Sequence, residues 1–325
     1  SIGHASALLY SVLHLSGYKF SVEDLKNFRQ LGSITPGHPE RDVDLGIEVT
    51  TGPLGQGFAN GVGMAISEKM MSQKYSDLIN HYIYGIVGDG DLQEGISSES
   101  ASLAGTLGLG KLIYIYDSNG ISIDGSNDLA FTENVAERFK SYNWHVIENI
   151  NGNDINSIQN AIEISKNELS KPSLIIADTT IGFGSPNKAG SESAHGEPLG
   201  EEETNLTRDN LGWDYKEFEV PEDVVKHMNQ IITKGNNLEK KWKKDAENFK
   251  AENPDQYNNF LQIMKNEFPE NWDEQLLENI KNSNEPEATR ASSGFAINLI
   301  SNSLDNLIGG SADLTGSTNT LIKNS

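Results

Sequence analysis

Apolar residues recur at helical spacing between His4 and Leu15, at Leu8, Leu9, Val12 and Leu15, and predict a first helix. Ser21-Val22-Glu23-Asp24 offers a hydroxyl N-cap with an acid three residues on, which starts a second helix. From Gly32 to Gly57 the chain is rich in Gly, Pro, Thr and Asp, a loop composition, and a helix of small residues follows from about Phe58 to Lys69. A loop of that length is usually functional.

A repeated alternation comes next. Tyr82 to Val87 reads as a buried strand, Glu94 to Leu107 as a helix, and Leu112 to Tyr116 as a second strand. Trp144 to Ile147 and Leu174 to Asp178 read as further strands around a helix near Ile155 to Leu169. Strands alternating with helices predict an α/β fold, a parallel sheet with helices on both faces whose ligands bind beyond the carboxyl ends of the strands. Between Glu201 and Lys281 the sequence turns charged, Asn-rich and helix-favouring, punctuated by Pro221, Pro254 and Pro269. A new helix near Ala288, then Leu307-Ile308 read as a strand before a Gly-rich turn, suggests the opening of a second α/β domain. The expected division is an α/β domain over 1–200, a helical connector over 201–285 and a truncated domain over 286–325.

Charge narrows the ligands. Lys and Arg number 25 against 47 Asp and Glu, a net charge of −22 over 325 residues. That field repels nucleic acid and anionic membrane surfaces, so any phosphate-bearing ligand needs local positive charge from a cation, a helix N-terminus, His or Arg. The absence of Cys excludes disulfides and thiolate metal sites and suits a reducing cytoplasm. No apolar run approaches the roughly 20 residues that cross a bilayer. The chain starts at Ser1 rather than Met, and a fragment is expected.

Gly88-Asp89-Gly90 follows the first clear strand and Asn119-Gly120 the next, and the interval between them accommodates one strand–helix–strand unit. Two neighbouring parallel strands would bring the Asp89 carboxylate and the Asn119 amide oxygen to one sheet edge, where hard oxygens suit Mg²⁺ or Ca²⁺. Gly-Asp-Gly alone is equally a turn after a strand. Likewise His4, His38 and His195, each beside Gly, Ser or Pro, are by themselves compatible with plain surface histidines.

The ordered set Gly88-Asp89-Gly90, Glu94 and Asn119 resembles the thiamine-diphosphate motif. Longer stretches resemble the transketolase family in that family's order: Gly3-His4-Ala5-Ser6, Thr35 to Glu40, Thr50 to Gly57, Gly182 to Gly190 with Ser193 to Gly196, Ala288-Thr289-Arg290, and Gly309 to Leu314. The resemblance implies a thiamine-diphosphate-binding fold, with the cation held by Asp89, Asn119 and the Ile121 carbonyl. It implies that His4, His38 and His195 are the catalytic histidines, His38 facing the donor's terminal hydroxyl and His4 and His195 near the diphosphate and reacting oxygens. Gly52, Pro53, Leu54, Gly88, Gly90, Glu94, Ile123 and Asp313 would line the cofactor, Leu54 and Ile123 pressing on its rings. Arg290 and Ser317, with His38 and His195, would take the sugar phosphate. Glu94 and Glu99 match acids at the subunit contact of a homodimer.

The implied activity is reversible transfer of a two-carbon ketol group from a ketose phosphate to an aldose phosphate. Ser118, Asp91, Ile2 and Gly316 depart from the family pattern. One family histidine would lie upstream of residue 1 and the glutamate that activates the cofactor downstream of residue 325, so this chain alone is expected to be inactive. Dihydroxyacetone synthase or another thiamine-diphosphate enzyme, and a non-catalytic diphosphate- and metal-binding subunit, are the alternatives; the Ser185 to His195 stretch argues against deoxyxylulose-phosphate synthase. A dehydrogenase reading of Gly55-Gln56-Gly57 lacks the preceding strand that the dinucleotide fingerprint requires.

Overall fold

The structure, a computed structural model, describes residues 1–282, 287–304 and 306–323. The chain divides into two compact units, Ser1–Trp242 and Lys243–Ser325. The expected domain boundary at 285/286 lies outside the described residues.

In the first unit, a short 3₁₀ turn leads into α1 (Ser6–Leu15), and α2 (Val22–Lys26) opens with the expected capping box. The Ser21 amide donates to Asp24 Oδ2 at 2.8 Å, and the Asp24 amide donates to Ser21 Oγ at 3.2 Å. After the long loop, α3 spans Gln56–Lys74 and leads to β1 (Ile83–Gly88), α4 (Asp89–Gln93) and α5 (Gly95–Leu107). There follow β2 (Leu112–Ser118), the small hairpin β3 (Ile121–Ser122) and β4 (Gly125–Ser126), and α6 (Val135–Ser141). β5 (His145–Asn151), α7 (Ile155–Asn167) and β6 (Ser173–Asp178) complete the sheet, and α8 (Glu201–Leu211) follows.

The main sheet has the order β1-β2-β6-β5, and every pairing is parallel. Side chains alternate across β2 as the pleat requires. Leu112, Tyr114 and Tyr116 enter one core with Phe58, Val62, Leu92, Ala101, Phe139 and Trp144. Ile113 joins Ile175 and Ala161 of α7 on the other face, with Ile115 packed against them. The buried polar tips are satisfied, as burial demands. Tyr114 donates to the Phe58 carbonyl at 2.7 Å and Trp144 Nε1 to that of Ala101 at 2.8 Å. The Phe58 and Tyr114 rings stack with centroids 4.4 Å apart.

Two expectations need correction. β1 was expected to be buried, yet Tyr84 and Ile86 are 52% and 50% exposed. α7 packs chiefly on β2, β5 and β6, and β1 is the edge strand of the sheet. Leu307-Ile308 forms no strand: both residues are exposed coil, and among the described residues of the second unit no strand offers a ladder partner.

α9 (Glu222–Glu252) runs from the first unit into the second, which further contains α10 (Pro254–Lys265), α11 (Glu274–Asn282), α12 (Thr289–Ile300) and α13 (Thr315–Thr318). The charged stretch is therefore helical as expected. No helix among the described residues is long and apolar enough to cross a membrane.

Phe58 is fully buried among Tyr114, Phe139 and Trp144, whereas Leu129 is 95% exposed. In urea denaturation, Phe58→Ala is expected to lower stability by about 3–5 kcal/mol, and Leu129→Ala to stay within about 0.5 kcal/mol of the parent.

Candidate functional site

The register of β1 and β2 sets Gly88 opposite Asp117, so the residues that follow each strand emerge at the same sheet edge. Asp89 opens α4 there, only 6% exposed. Its Oδ1 accepts from the Tyr116 hydroxyl at 2.5 Å and its Oδ2 from the Gly120 amide at 3.2 Å. Burial and the bond to Asp89 push the Tyr116 phenol far above its ordinary range, so it remains a protonated donor.

Asn119, Gly120 and Ile121 form the turn beyond β2. Asn119 Oδ1 accepts from the Ile121 amide at 3.0 Å, and its Nδ2 donates to Asp117 Oδ2 at 3.3 Å. Gly120 takes a φ of +70°, a left-handed conformation that glycine adopts without a Cβ penalty. Asp89 therefore holds the central residue of a turn whose flanking residues are Asn119 and Ile121. Among the described residues no three His, Cys, Asp or Glu side chains group as a metal cage. A cation here would rest on one carboxylate, one amide oxygen and one carbonyl, leaving positions for ligand and water oxygens.

Asp91 was marked in the sequence only as a departure, yet it is 1% exposed and ties three segments together. Oδ1 accepts from the Gly55 amide at 2.8 Å and from Ser1 Oγ at 2.6 Å, and Oδ2 accepts from the Gly88 amide at 3.0 Å. The loop before α3 is thereby fixed to the strand end that carries Asp89. Leu54 lies over the same turn: a Cβ on Gly90 would come within 3.0 Å of Leu54 Cδ1. No local sequence signal identifies Asp91, because a lone acid in a helical turn usually faces water.

The histidines converge by close backbone packing. A Cβ on Gly3 would fall 2.8 Å from the Gly52 amide nitrogen, so only glycine lets the turn bearing His4 lie on that loop. Gly52 in turn faces the His38 ring, 3.6 Å from the position its own Cβ would take. α1 anchors the His38 loop, Ser6 Oγ donating to the Gly37 carbonyl at 2.8 Å and the Tyr10 hydroxyl to that of Pro36 at 2.9 Å. The His4 and His195 rings stack with centroids 4.7 Å apart, and His195 Nδ1 is buried without a hydrogen-bond partner. Burial first, and the neighbouring His195 second, hold His4 below the ordinary imidazole range.

The remaining residues singled out from sequence are more open. Pro53, Glu94 and Glu99 are exposed, Glu94 as the N-cap of α5, and Ile123 is 73% exposed at the tip of the β3–β4 hairpin. Arg290, Asp313 and Ser317 belong to the second unit and are exposed there. Arg290 lies in the first turn of α12 and Ser317 in α13, while Asp313 takes a φ of +59° before that helix.

A family model described as "Transketolase, thiamine diphosphate binding domain" matches residues 1–269. The transketolase of Buchnera aphidicola subsp. Schizaphis graminum is 49% identical over 328 residues, covering 99% of this chain and 49% of that protein. That of Bacillus subtilis is 48% identical over 330 residues, covering 100% and 49%. A solved Pichia stipitis transketolase in complex with sedoheptulose-7-phosphate superposes with a TM-score of 0.91 at 41% identity, over 99% of this chain and 48% of that one. The chain thus spans about half the length of the curated relatives it matches.

Asp91→Ala strands the buried Gly55 amide and the half-buried Gly88 amide and is expected to lower stability by about 2–4 kcal/mol in urea denaturation. Because the folded-state pKa of His4 lies below its ordinary 6.5, the neutral ring's contribution is complete above pH 6.5 and is lost as pH falls from there toward the folded value. Urea midpoints measured across that interval should therefore slope less steeply in His4→Asn than in the parent.

Proposed function

The chain belongs to the transketolase family through its thiamine-diphosphate-binding domain, and from that premise we propose that it is the diphosphate-holding part of an enzyme of two-carbon ketol transfer. The donor in this reading is a ketose phosphate and the acceptor an aldose phosphate. The single observation that carries it is the tether between Asp89 and the Asn119–Ile121 turn across two adjacent strand ends.

The residues present fit thiamine diphosphate and a divalent cation. Asp89, Asn119 and the Ile121 carbonyl would hold Mg²⁺ or Ca²⁺ through hard oxygens, and the cation would supply positive charge for the diphosphate. The unpartnered, buried His195 Nδ1 fits a site whose last hydrogen-bond partner is a ligand oxygen. When bound, thiamine diphosphate supplies the electron sink that ketol transfer requires.

The chain's own groups have separable tasks in this reading. His4 and His195 donate to diphosphate and substrate oxygens, and His38, on its anchored loop, moves a proton at the donor's terminal hydroxyl. Gly88 and Gly90 admit the diphosphate closely, while Gly52, Pro53 and Leu54 exclude water above it and Ile123 closes on the rings in the assembled enzyme. Glu94 sits at the subunit contact of a homodimer. Arg290 and Ser317 are assigned to the sugar phosphate, and Asp313 to the cofactor, by the family resemblance alone. The division into 1–200, 201–285 and 286–325, and a cytoplasmic setting consistent with the lack of Cys, belong to the same reading.

The test is a product assay on the complete gene product with xylulose phosphate and ribose phosphate. Formation of sedoheptulose phosphate is the expected outcome, with His38→Ala lowering kcat/KM by about 10²–10⁴-fold. Cofactor binding without that product would instead favour a non-catalytic subunit.

A further inference from the structure

We propose that Glu203, outside every residue set named above, is the positioning residue that places His195. The inference rests on the reading of His195 as a group facing cofactor and substrate oxygens.

Glu203 lies in the first turn of α8, and its neighbours Glu201 and Glu202 are exposed while Glu203 is only 7% so. Its carboxylate is spent on one short stretch of loop. Oε1 accepts from Ser185 Oγ and, at 2.8 Å, from the Asn187 amide, and Oε2 accepts from Asn187 Nδ2 at 2.8 Å. Bonds to a charged acceptor are stronger than neutral ones, and the N-terminal turn of a helix favours that charge. The bond from Ser185, followed by those from Asn187, holds the Glu203 carboxyl below the usual carboxylate range.

From this anchor, successive turns of the same loop are closed by hydrogen bonds up to His195. Ser185 Oγ accepts from the Lys188 amide at 3.1 Å, and the Lys188 carbonyl accepts from Ser191 Oγ at 2.8 Å. The Ser191 carbonyl accepts from the Ala194 amide at 3.2 Å, and the His195 amide donates to the Glu192 carbonyl at 2.8 Å. The His195 ring follows with Nδ1 unpartnered and stacks on His4, so the loop that Glu203 anchors sets which part of the His4 ring it can meet. A helix-surface glutamate is ordinarily solvated. Here burial, full use of both oxygens and a target confined to Ser185 and Asn187 mark a clamp.

The experiment uses the complete gene product with thiamine diphosphate and Mg²⁺. Glu203→Gln is expected to lower kcat/KM for the ketose phosphate by about tenfold, and to speed deuterium exchange over 182–196. Combining Glu203→Gln with Asn187→Asp reverses donor and acceptor across the pair and is expected to recover kcat/KM to within about threefold of the parent. A general loss of melting temperature with kcat/KM unchanged overturns the clamp. Should Glu203→Gln fail to fold, Ser185→Ala removes one bond only and carries the same expectations, with unchanged kcat/KM again overturning it. If the parent shows no ketol transfer, the functional reading fails by itself, and exchange over 182–196 then decides the clamp: acceleration confined to that loop supports it, and none overturns it.

Discussion

The arrangement depends on a buried carboxylate, Asp89, gripping the backbone turn that leaves the neighbouring strand. Parallel pairing in this register makes the contact possible, because Gly88 and Asp117 are opposed and the next residues have one edge in common. Tyr116 and Gly120 supply donors to the two oxygens of Asp89, so burying the carboxylate does not strand it. A carboxylate held in this way, with the Asn119 turn tied to it, suits a hard cation better than it suits the core.

The other loops are arranged around that edge by backbone contact rather than by long side chains. Gly3 against Gly52 brings the His4 turn onto the loop of His38, and Asp91 pins Gly55 to Gly88. The stack of His4 on His195 joins the segment that follows β6 to the same cluster. A chain with a net charge of −22 can in this way still bring imidazole rings and backbone amide donors together.

Much of this was legible in the sequence. The short β-branched and aromatic run Leu112 to Tyr116 read as a strand, and the spacing from Asp89 to Asn119 gave its adjacency to β1. The capping box at Ser21 was equally plain. Most of the failures were decided by tertiary contacts, and one by shortness. α4 was missed because Asp89-Gly90-Asp91 reads as a turn until Asp91 finds its amides, and α6 because seven residues carry too little periodicity. Leu307-Ile308 is strand-like in composition, but a strand needs a partner. Asp91 and Glu203 are buried acids whose local surroundings in sequence look solvated, so nothing short of their hydrogen bonds identifies them.

The central claim is that Asp89 and the Asn119–Ile121 turn jointly hold a divalent cation that binds the diphosphate. The most direct measurement is Mn²⁺ binding by electron paramagnetic resonance on the complete gene product, with and without thiamine diphosphate. The account predicts tight binding only with the diphosphate present, lost in both Asp89→Ala and Asn119→Ala and retained in Glu99→Ala. Undiminished Mn²⁺ binding in the Asp89 and Asn119 variants would contradict it.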